Sequence, residues 1–326
     1  MRKVEVRSES WPLAQVFRIS RGAKTEAQVI VVAVEEDGAR GWGEAVPYAR
    51  YDQTIESSLA DLERVRGEVE AGASRTTVQT MLPPGAARNA LDCALWDLEA
   101  KMTGEPVWQR AGLERPSDLT TAYTLSIDTP EAMGAAAAEA AHRPLLKVKL
   151  DGEDVLARLQ AVRQGAPQSR LVVDANEAWS VDLLKAIGDD LKALGVEMIE
   201  QPLPAGDDAG LAGLDCPIVL CADESCHGAD TVGELTDRYG MVNIKLDKTG
   251  GLTGALALRR AAQDAGMAIM VGCMVATSLA MAPAMLVAQG AAVVDLDGPL
   301  LMKKDREPGI HFDGNTMHPA PSALWG

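Results

Sequence analysis

Lysines and carboxylates recur in this chain at a nearly constant interval. Lys147 and Lys149 are followed by Asp174, Glu200, Asp223 and Lys245, and the steps from Lys149 onward are 25, 26, 23 and 22 residues. Farther along comes the pair Asp295-x-Asp297. Each interval is about the length of one strand–helix unit, and each charged residue closes a short apolar run. If the runs are parallel strands of one barrel, their ends meet at a single mouth, where barrel chemistry takes place. Asp174, Glu200 and Asp223, from neighbouring strands, would make an all-oxygen site suited to Mg²⁺ or Mn²⁺ rather than zinc. Lysines then flank that metal in strand order and face each other across the mouth. A metal-bound carboxylate substrate would have an ammonium group on each face of its α-carbon. That arrangement can remove a proton from one face and return it to the other. Asp295 and Asp297 fall on the same side of an extended chain, placed to clamp an ammonium group.

The elements that must position these residues read as follows. The apolar runs are Thr121–Leu125, Leu145–Leu150, Leu171–Asp174, Val196–Glu200, Ile218–Asp223, Met241–Lys245, Ala268–Cys273 and Ala292–Asp295. Alanine- and leucine-rich helical stretches separate them, the mark of a parallel sheet covered on both faces. Eight such units predict an α/β, TIM-like barrel. An open doubly wound sheet is the alternative, but no Gly-rich dinucleotide fingerprint follows the first run. The first hundred residues or so read as α+β. Lys3–Arg7 alternates like a half-buried strand, Gln28–Glu36 is rich in Val and Ile, and Asp37-Gly38 signals a hairpin. Thr54–Glu70 and Ala86–Met102 read as helices, the second stopped by Gly104. Gly41-Trp42-Gly43 has no helix directly after it, so it reads as a tight turn rather than a phosphate loop.

Composition excludes several classes of protein. The chain has 326 residues, 47 acidic and 31 basic, for a formal net charge of −16. That disfavours nucleic acid and anionic membrane surfaces as partners. Five cysteines without Cys-x-x-Cys spacing, and an N-terminus without an apolar signal core, point to the cytoplasm. Cys216, Cys221, Cys226 and His227 cluster in sequence but read as small buried thiols rather than a zinc site. Met267–Ala288 carries no charge, yet Gly272, Thr277, Ser278 and Pro283 interrupt it. It reads as a buried strand, a loop and an apolar helix rather than a membrane span. A homo-oligomer is compatible with all of this.

Several segments carry a resemblance to a known family. Leu146-Lys147-Val148-Lys149, Asp174-Ala175-Asn176, Glu200-Gln201-Pro202, Ala222-Asp223-Glu224-Ser225 and Asn243-Ile244-Lys245 resemble the muconate-lactonizing subgroup of the enolase superfamily. Within it the chain looks most like the dipeptide epimerases of the L-Ala-D/L-Glu type. The likeness spans the whole chain, including Gly41-Trp42-Gly43-Glu44 and Gly272-Cys273-Met274. It implies a (β/α)₇β barrel under an α+β capping domain. The expected division is a cap over 1–115, completed by 300–326, and a barrel over 116–299.

The resemblance also implies roles. Asp174, Glu200 and Asp223 would bind Mg²⁺, which holds the substrate carboxylate and the enediolate formed when the α-proton leaves. Lys149 and Lys245 would be the acid/base pair, and a base lysine needs its pKa lowered to about 7–8. Lys147 would hydrogen-bond the carboxylate. Asp295 and Asp297 would hold the free α-amino group of a small dipeptide, a group that a muconate cycloisomerase never meets. Arg21, in the loop Phe17–Gly22, would bind an acidic side chain, with Arg18 and Lys24 as alternatives. Thr124 would contact substrate. None of the histidines (His142, His227, His311, His318) lies on the seventh run, which counts against the branch that uses a histidine base there. Other readings are an N-acylamino acid racemase, an o-succinylbenzoate synthase, a cycloisomerase, or a barrel without catalytic function. The context implied is recycling of cell-wall peptides.

Overall fold

A computed structural model describes residues 1–326. The chain begins with an antiparallel sheet of β1 (Lys3–Ile19), β2 (Gly22–Glu36) and β3 (Ala39–Ala45). Helices α1 (Ile55–Glu70), α2 (Arg75–Met81) and α3 (Ala86–Thr103) pack against it around a core of Ile30, Val32, Leu62, Leu91 and Leu95. Thr54 and Ser57 form a reciprocal cap at the start of α1, which satisfies N–H groups that a helix leaves open. Gly104, in left-handed conformation, ends α3 where the sequence predicts a stop. Gly41 and Gly43 do not form a turn. They lie inside β3, where an added Cβ would come within 2.2 Å of Ala94 O and 2.0 Å of Ala90 O, so the sheet can approach α3 only through glycine.

β1 is much longer than the Lys3–Arg7 stretch suggested by alternation. It pairs with β2 from Lys3↔Glu35 to Ile19↔Gly22, with an irregularity between Pro12 and Phe17. Its outer half, Trp11–Ile19, is largely apolar yet mostly exposed, so no alternation of apolar and polar residues announces it. The hairpin's far end brings Ser20 and Arg21 to Asn176, beyond the end of a barrel strand.

A short helix α4 (Val107–Arg110) and strand β4 (Leu119–Thr120) lead into the barrel. Its eight strands lie side by side in chain order: β5 (Tyr123–Leu125), β6 (Leu145–Lys149), β7 (Arg170–Asp174), β8 (Val196–Glu200), β9 (Val219–Ala222), β10 (Met241–Ile244), β11 (Ala268–Gly272) and β12 (Val293–Asp295). The pairings along it are parallel, as the eight runs predict. Ala122 N–H donates to Val294 O (2.8 Å), and Leu296 N–H to Thr121 Oγ1 (2.8 Å), which draws the last strand against the first. Helices α5 (Pro130–Glu139), α6 (Val155–Gly165), α7 (Val181–Ala193), α8 (Val232–Leu235), α10 (Leu252–Asp264) and α11 (Ser278–Ala288) cover the outside, and the short, buried α9 (Leu246–Thr249) follows β10 at the mouth. Between β8 and β9 there is only a 3₁₀ turn, Ala209–Leu211, in a stretch broken by Pro202, Pro204, Gly206, Gly210 and Gly213. The uncharged stretch from Met267 to Ala288 is β11, a loop and α11, and no helix is long and apolar enough to cross a membrane.

The barrel interior explains where the chemistry sits. One apolar side chain from each strand forms a ring: Ala122, Leu145, Val172, Met198, Cys221, Met241, Met270 and Val293. Two residues farther along, the same inward phase brings Thr124, Lys147, Asp174, Glu200, Asp223, Asn243, Gly272 and Asp295. The period of two thus carries each strand from a greasy plug to a polar mouth. After residue 302 the chain returns across the molecule: β13 (Phe312–Asp313) and β14 (Thr316–Met317) form a small sheet with β4.

Candidate active site

The polar ring brings the predicted groups together. Lys147 Nζ lies 3.0 Å from Asp174, 2.6 Å from Glu200 and 2.7 Å from Asp295. Lys149 Nζ donates to Asp174 Oδ2 (2.5 Å) and Asn176 Oδ1 (3.1 Å). Across the mouth, Lys245 Nζ donates to Asp223 Oδ2 (2.7 Å) and stands 3.9 Å from Glu200. All three carboxylates and all three lysines are buried. Gly272 makes room for the Lys245 stem, since a Cβ there would fall 3.1 Å from its Cε. Cys216, Cys221, Cys226 and Cys273 are free thiols, and no group of three or more His, Cys, Asp and Glu is arranged to hold a metal as it stands.

Electrostatics show what this cluster lacks. Burial acts to raise the Asp174 carboxyl, but Lys149 and Lys147 outweigh it and hold the group well below the usual range. Asp223 is held low in the same way, against burial, by Lys245 and Lys248. Glu200 goes the other way: burial, then the neighbouring Asp174 charge, push it up to about 8. Its Oε2 lies near the Lys147 ammonium without hydrogen-bond geometry. Burial acts to lower Lys147 and Lys245, and the surrounding carboxylates overcome it and raise both well above the ordinary lysine value. For Lys245 that is opposite to the fall a general base needs. The carboxylates are the cause, and a cation bound to their oxygens would weaken the effect. The donor set is three buried carboxylates without sulfur or imidazole, which fits a hard divalent ion.

The second carboxylate pair is also short of positive charge. Asp295 Oδ2 accepts from Lys147, while Asp295 Oδ1 is buried and has no partner. Asp297 Oδ2 accepts from the Thr124 main-chain N–H (2.7 Å), and burial with the Asp295 charge raises Asp297 to about 7. Thr124 therefore meets the site through its backbone.

A cavity of about 370 Å³ opens between cap and barrel, with Lys149, Asp223 and Lys245 on its floor and Arg21, Lys24 and Tyr51 on its roof. The roof cations differ. Arg21 donates to Glu224 Oε1 (2.7 Å), Glu177 Oε2 (3.0 Å), Asn176 O (3.1 Å) and the Tyr48 hydroxyl (3.0 Å). Arg18 points away, to Ile127 O and Asp128. Lys24 is solvent-exposed at the rim of the cavity, makes no ion pair, and lies 5.6 Å over the Tyr48 ring. Its pKa is lowered by desolvation.

Residues 131–311 match the enolase C-terminal domain-like family, and residues 1–112 match the mandelate racemase / muconate lactonizing enzyme N-terminal domain. The chain belongs to this branch of the enolase superfamily. It is 45% identical over 320 residues to an L-Ala-D/L-Glu epimerase of Escherichia coli (strain K12), covering 98% of this chain and 100% of the relative. It is 49% identical over 303 residues to an N-acetyl-D-glutamate racemase of Pseudoalteromonas sp, covering 91% and 95%. Among solved structures, an enolase family member from Agrobacterium tumefaciens with homology to dipeptide epimerases, with bound sodium and L-Ala-L-Glu, matches at a TM-score of 0.98, 49% identity and 100% of both chains.

Two members of this enolase-superfamily site escaped the sequence reading. Lys248, three residues after Lys245, is fully buried and donates to Asp223 Oδ1 (2.6 Å) and Asn243 O (3.0 Å). Asn243 Nδ2 donates to Glu200 Oε1 (2.7 Å). The inward phase of β10, which runs Met241, Asn243, Lys245, was the signal for Asn243. Lys248 gave none, because it reaches the site from α9.

Proposed function

We propose that this chain is a Mg²⁺-dependent dipeptide epimerase that inverts the α-carbon of the C-terminal residue of an acidic dipeptide such as L-Ala-L/D-Glu. The observation that carries the reading is the pair Asp295/Asp297: a buried carboxylate oxygen without a partner, beside a carboxyl raised to about 7, calls for a cationic donor. The free α-amino group of a dipeptide is such a donor. Asp174, Glu200 and Asp223 would hold the metal, which when bound supplies charge stabilisation at the substrate carboxylate. Lys149 takes or returns the α-proton on one face and Lys245 on the other. Lys147, between the carboxylate triad and Asp295, donates hydrogen bonds to the substrate carboxylate. Arg21 and Lys24 form the cationic end for the acidic side chain, and the Thr124 N–H keeps Asp297 oriented.

In this reading, residues 1–115 with 300–326 cap a barrel of 116–299. The enzyme works in the cytoplasm, a placement its free thiols support, on peptides from cell-wall recycling. A second reading, racemisation of an N-acylglutamate, is favoured by the Pseudoalteromonas relative. Such a substrate has no ammonium for Asp295. The experiment sets L-Ala-L-Glu against N-acetyl-L-glutamate in D₂O with Mg²⁺ and follows the α-proton by NMR. Exchange with appearance of the D-epimer is expected for the dipeptide, and its loss in Lys149→Ala and in Lys245→Ala. Faster turnover of the N-acetyl compound would overturn the dipeptide reading.

A further inference from the structure

Six residues other than glycine hold a positive φ, and three of them lie just beyond the carboxylates: Asn176 (+43°) and Glu177 (+70°) after Asp174, and Gln201 (+36°) after Glu200. Left-handed backbone costs a non-glycine residue about 1–2 kcal/mol, so it persists only where its surroundings fix it. For Gln201 the fixing contacts are its own. The side chain is wholly buried, and its carboxamide oxygen accepts the main-chain N–H groups of Asp223 (2.9 Å) and Ser225 (3.1 Å). The carboxamide nitrogen reaches Leu203 O (2.8 Å), Ser225 Oγ (2.9 Å) and the Tyr239 hydroxyl (3.1 Å). Its main-chain N–H donates to Cys221 O (2.8 Å), and its carbonyl accepts from Glu177 N–H (2.9 Å).

One residue, through its side chain and its own main-chain N–H and C=O, therefore links the exits of β7, β8 and β9, the strands that bring Asp174, Glu200 and Asp223. Gln201 does not line the cavity and cannot touch a substrate there. An ordinary right-handed or extended residue after Glu200 would send its side chain elsewhere and leave the buried Asp223 N–H and the part-buried Ser225 N–H without this partner. We propose that Gln201 is a positioning residue for the carboxylate triad, its strained backbone and carboxamide setting the distance between Glu200 and Asp223. This rests on the reading of those carboxylates as the divalent-cation site.

The test is the affinity of the substrate-free protein for Mn²⁺, measured by EPR titration. Native protein is compared with Gln201→Gly, which relieves the backbone but removes the carboxamide, and Gln201→Met, which keeps the bulk. Circular dichroism and thermal melts report folding. Both variants are expected to weaken Mn²⁺ binding at least about tenfold, the usual range for groups that orient metal ligands. Gln201→Glu keeps an accepting oxygen for the Asp223 and Ser225 N–H groups but loses the donor to Leu203 O and adds a buried charge, so it serves as the control for folding rather than for affinity. Native-like affinity in a folded Gly or Met variant would overturn the proposal, because a merely structural role lowers the melting temperature without moving the affinity. Failure of both to fold while Gln201→Glu folds would overturn it as well, showing a role in folding at large. Absence of Mn²⁺ binding by the native protein is a separate result and sinks the reading of the carboxylates.

Discussion

Lys24 and Arg21 stand three residues apart on the hairpin above the barrel mouth, yet their electrostatic situations are opposite. The Arg21 guanidinium is surrounded by Glu224, Glu177, Asn176 O and Tyr48, and it ties the hairpin to the exits of β7 and β9. Lys24 stands exposed at the cavity rim with no carboxylate of its own. A substrate carboxylate would supply the counter-charge that no protein group gives it. Lys24→Ala is expected to raise KM for L-Ala-L-Glu by about 10–100-fold, the worth of one charge-assisted hydrogen bond, with kcat less affected. KM for L-Ala-L-Gln should change little. Steady-state kinetics on the two dipeptides decide it, and an undiminished preference for the acidic one would rule Lys24 out. The sequence makes the lysines and carboxylates legible because each closes an apolar run. It cannot rank Arg18, Arg21 and Lys24, because what separates them is which carboxylates lie nearby from Glu177 and Glu224, more than 150 residues away.

Helix α3 is buried on two sides, and that explains both its legibility and its chemistry. Its apolar face packs on the cap sheet through Gly41 and Gly43. Its polar side chains meet the turn after β10: Arg88 donates to Thr249 O (2.9 Å), Asn89 to Asp247 (2.9 Å), and Asp92 accepts from Thr253 N–H (3.0 Å). Periodicity located the helix, but nothing in the sequence tells that Asp92 is buried, since an aspartate on a helix is ordinarily a solvated one. Burial pushes Asp92 up to about 6 despite the Thr253 hydrogen bonds. Between the unfolded value near 3.8 and 6, the native chain keeps a proton that the unfolded chain has lost. Asp92 therefore costs stability as pH rises through that window, reaching about 3 kcal/mol near neutrality. Asp92→Asn removes the titration. Its stability relative to native protein should rise by about that amount between roughly pH 4 and pH 7 in urea unfolding. A difference that stays flat with pH would show that Asp92 ionises normally. The outer half of β1 and the 3₁₀ turn between β8 and β9 escaped reading for a related reason: tertiary contacts, not period, fix them.

Cap, barrel and tail are joined at one buried ionic node. Glu44 at the end of β3 accepts from the main-chain N–H (2.7 Å) and hydroxyl (2.5 Å) of Thr277, on the loop after β11. Arg306, on the returning tail, donates to Glu44 (2.9 Å) and to Glu9 of β1 (2.7 Å). Nearby, Asp305 accepts from Ser278 N–H (3.0 Å), and farther along Trp325 Nε1 donates to Cys93 O of α3 (3.0 Å). The tail thus ties the cap sheet and α3 to the loop after β11. Glu44 is wholly buried, and burial raises its carboxyl against the pull of Arg306. Arg306→Met leaves a buried carboxylate without its counter-charge, a loss expected to cost about 3–5 kcal/mol. Glu44→Gln removes the charge that makes the loss severe, while its amide oxygen can still accept from Thr277. The double variant should therefore be more stable than Arg306→Met alone, although it carries one more substitution. Urea unfolding of the two single variants and the double one closes the cycle. If the two costs simply add, Glu44 and Arg306 act independently, and their pairing does not hold cap to tail.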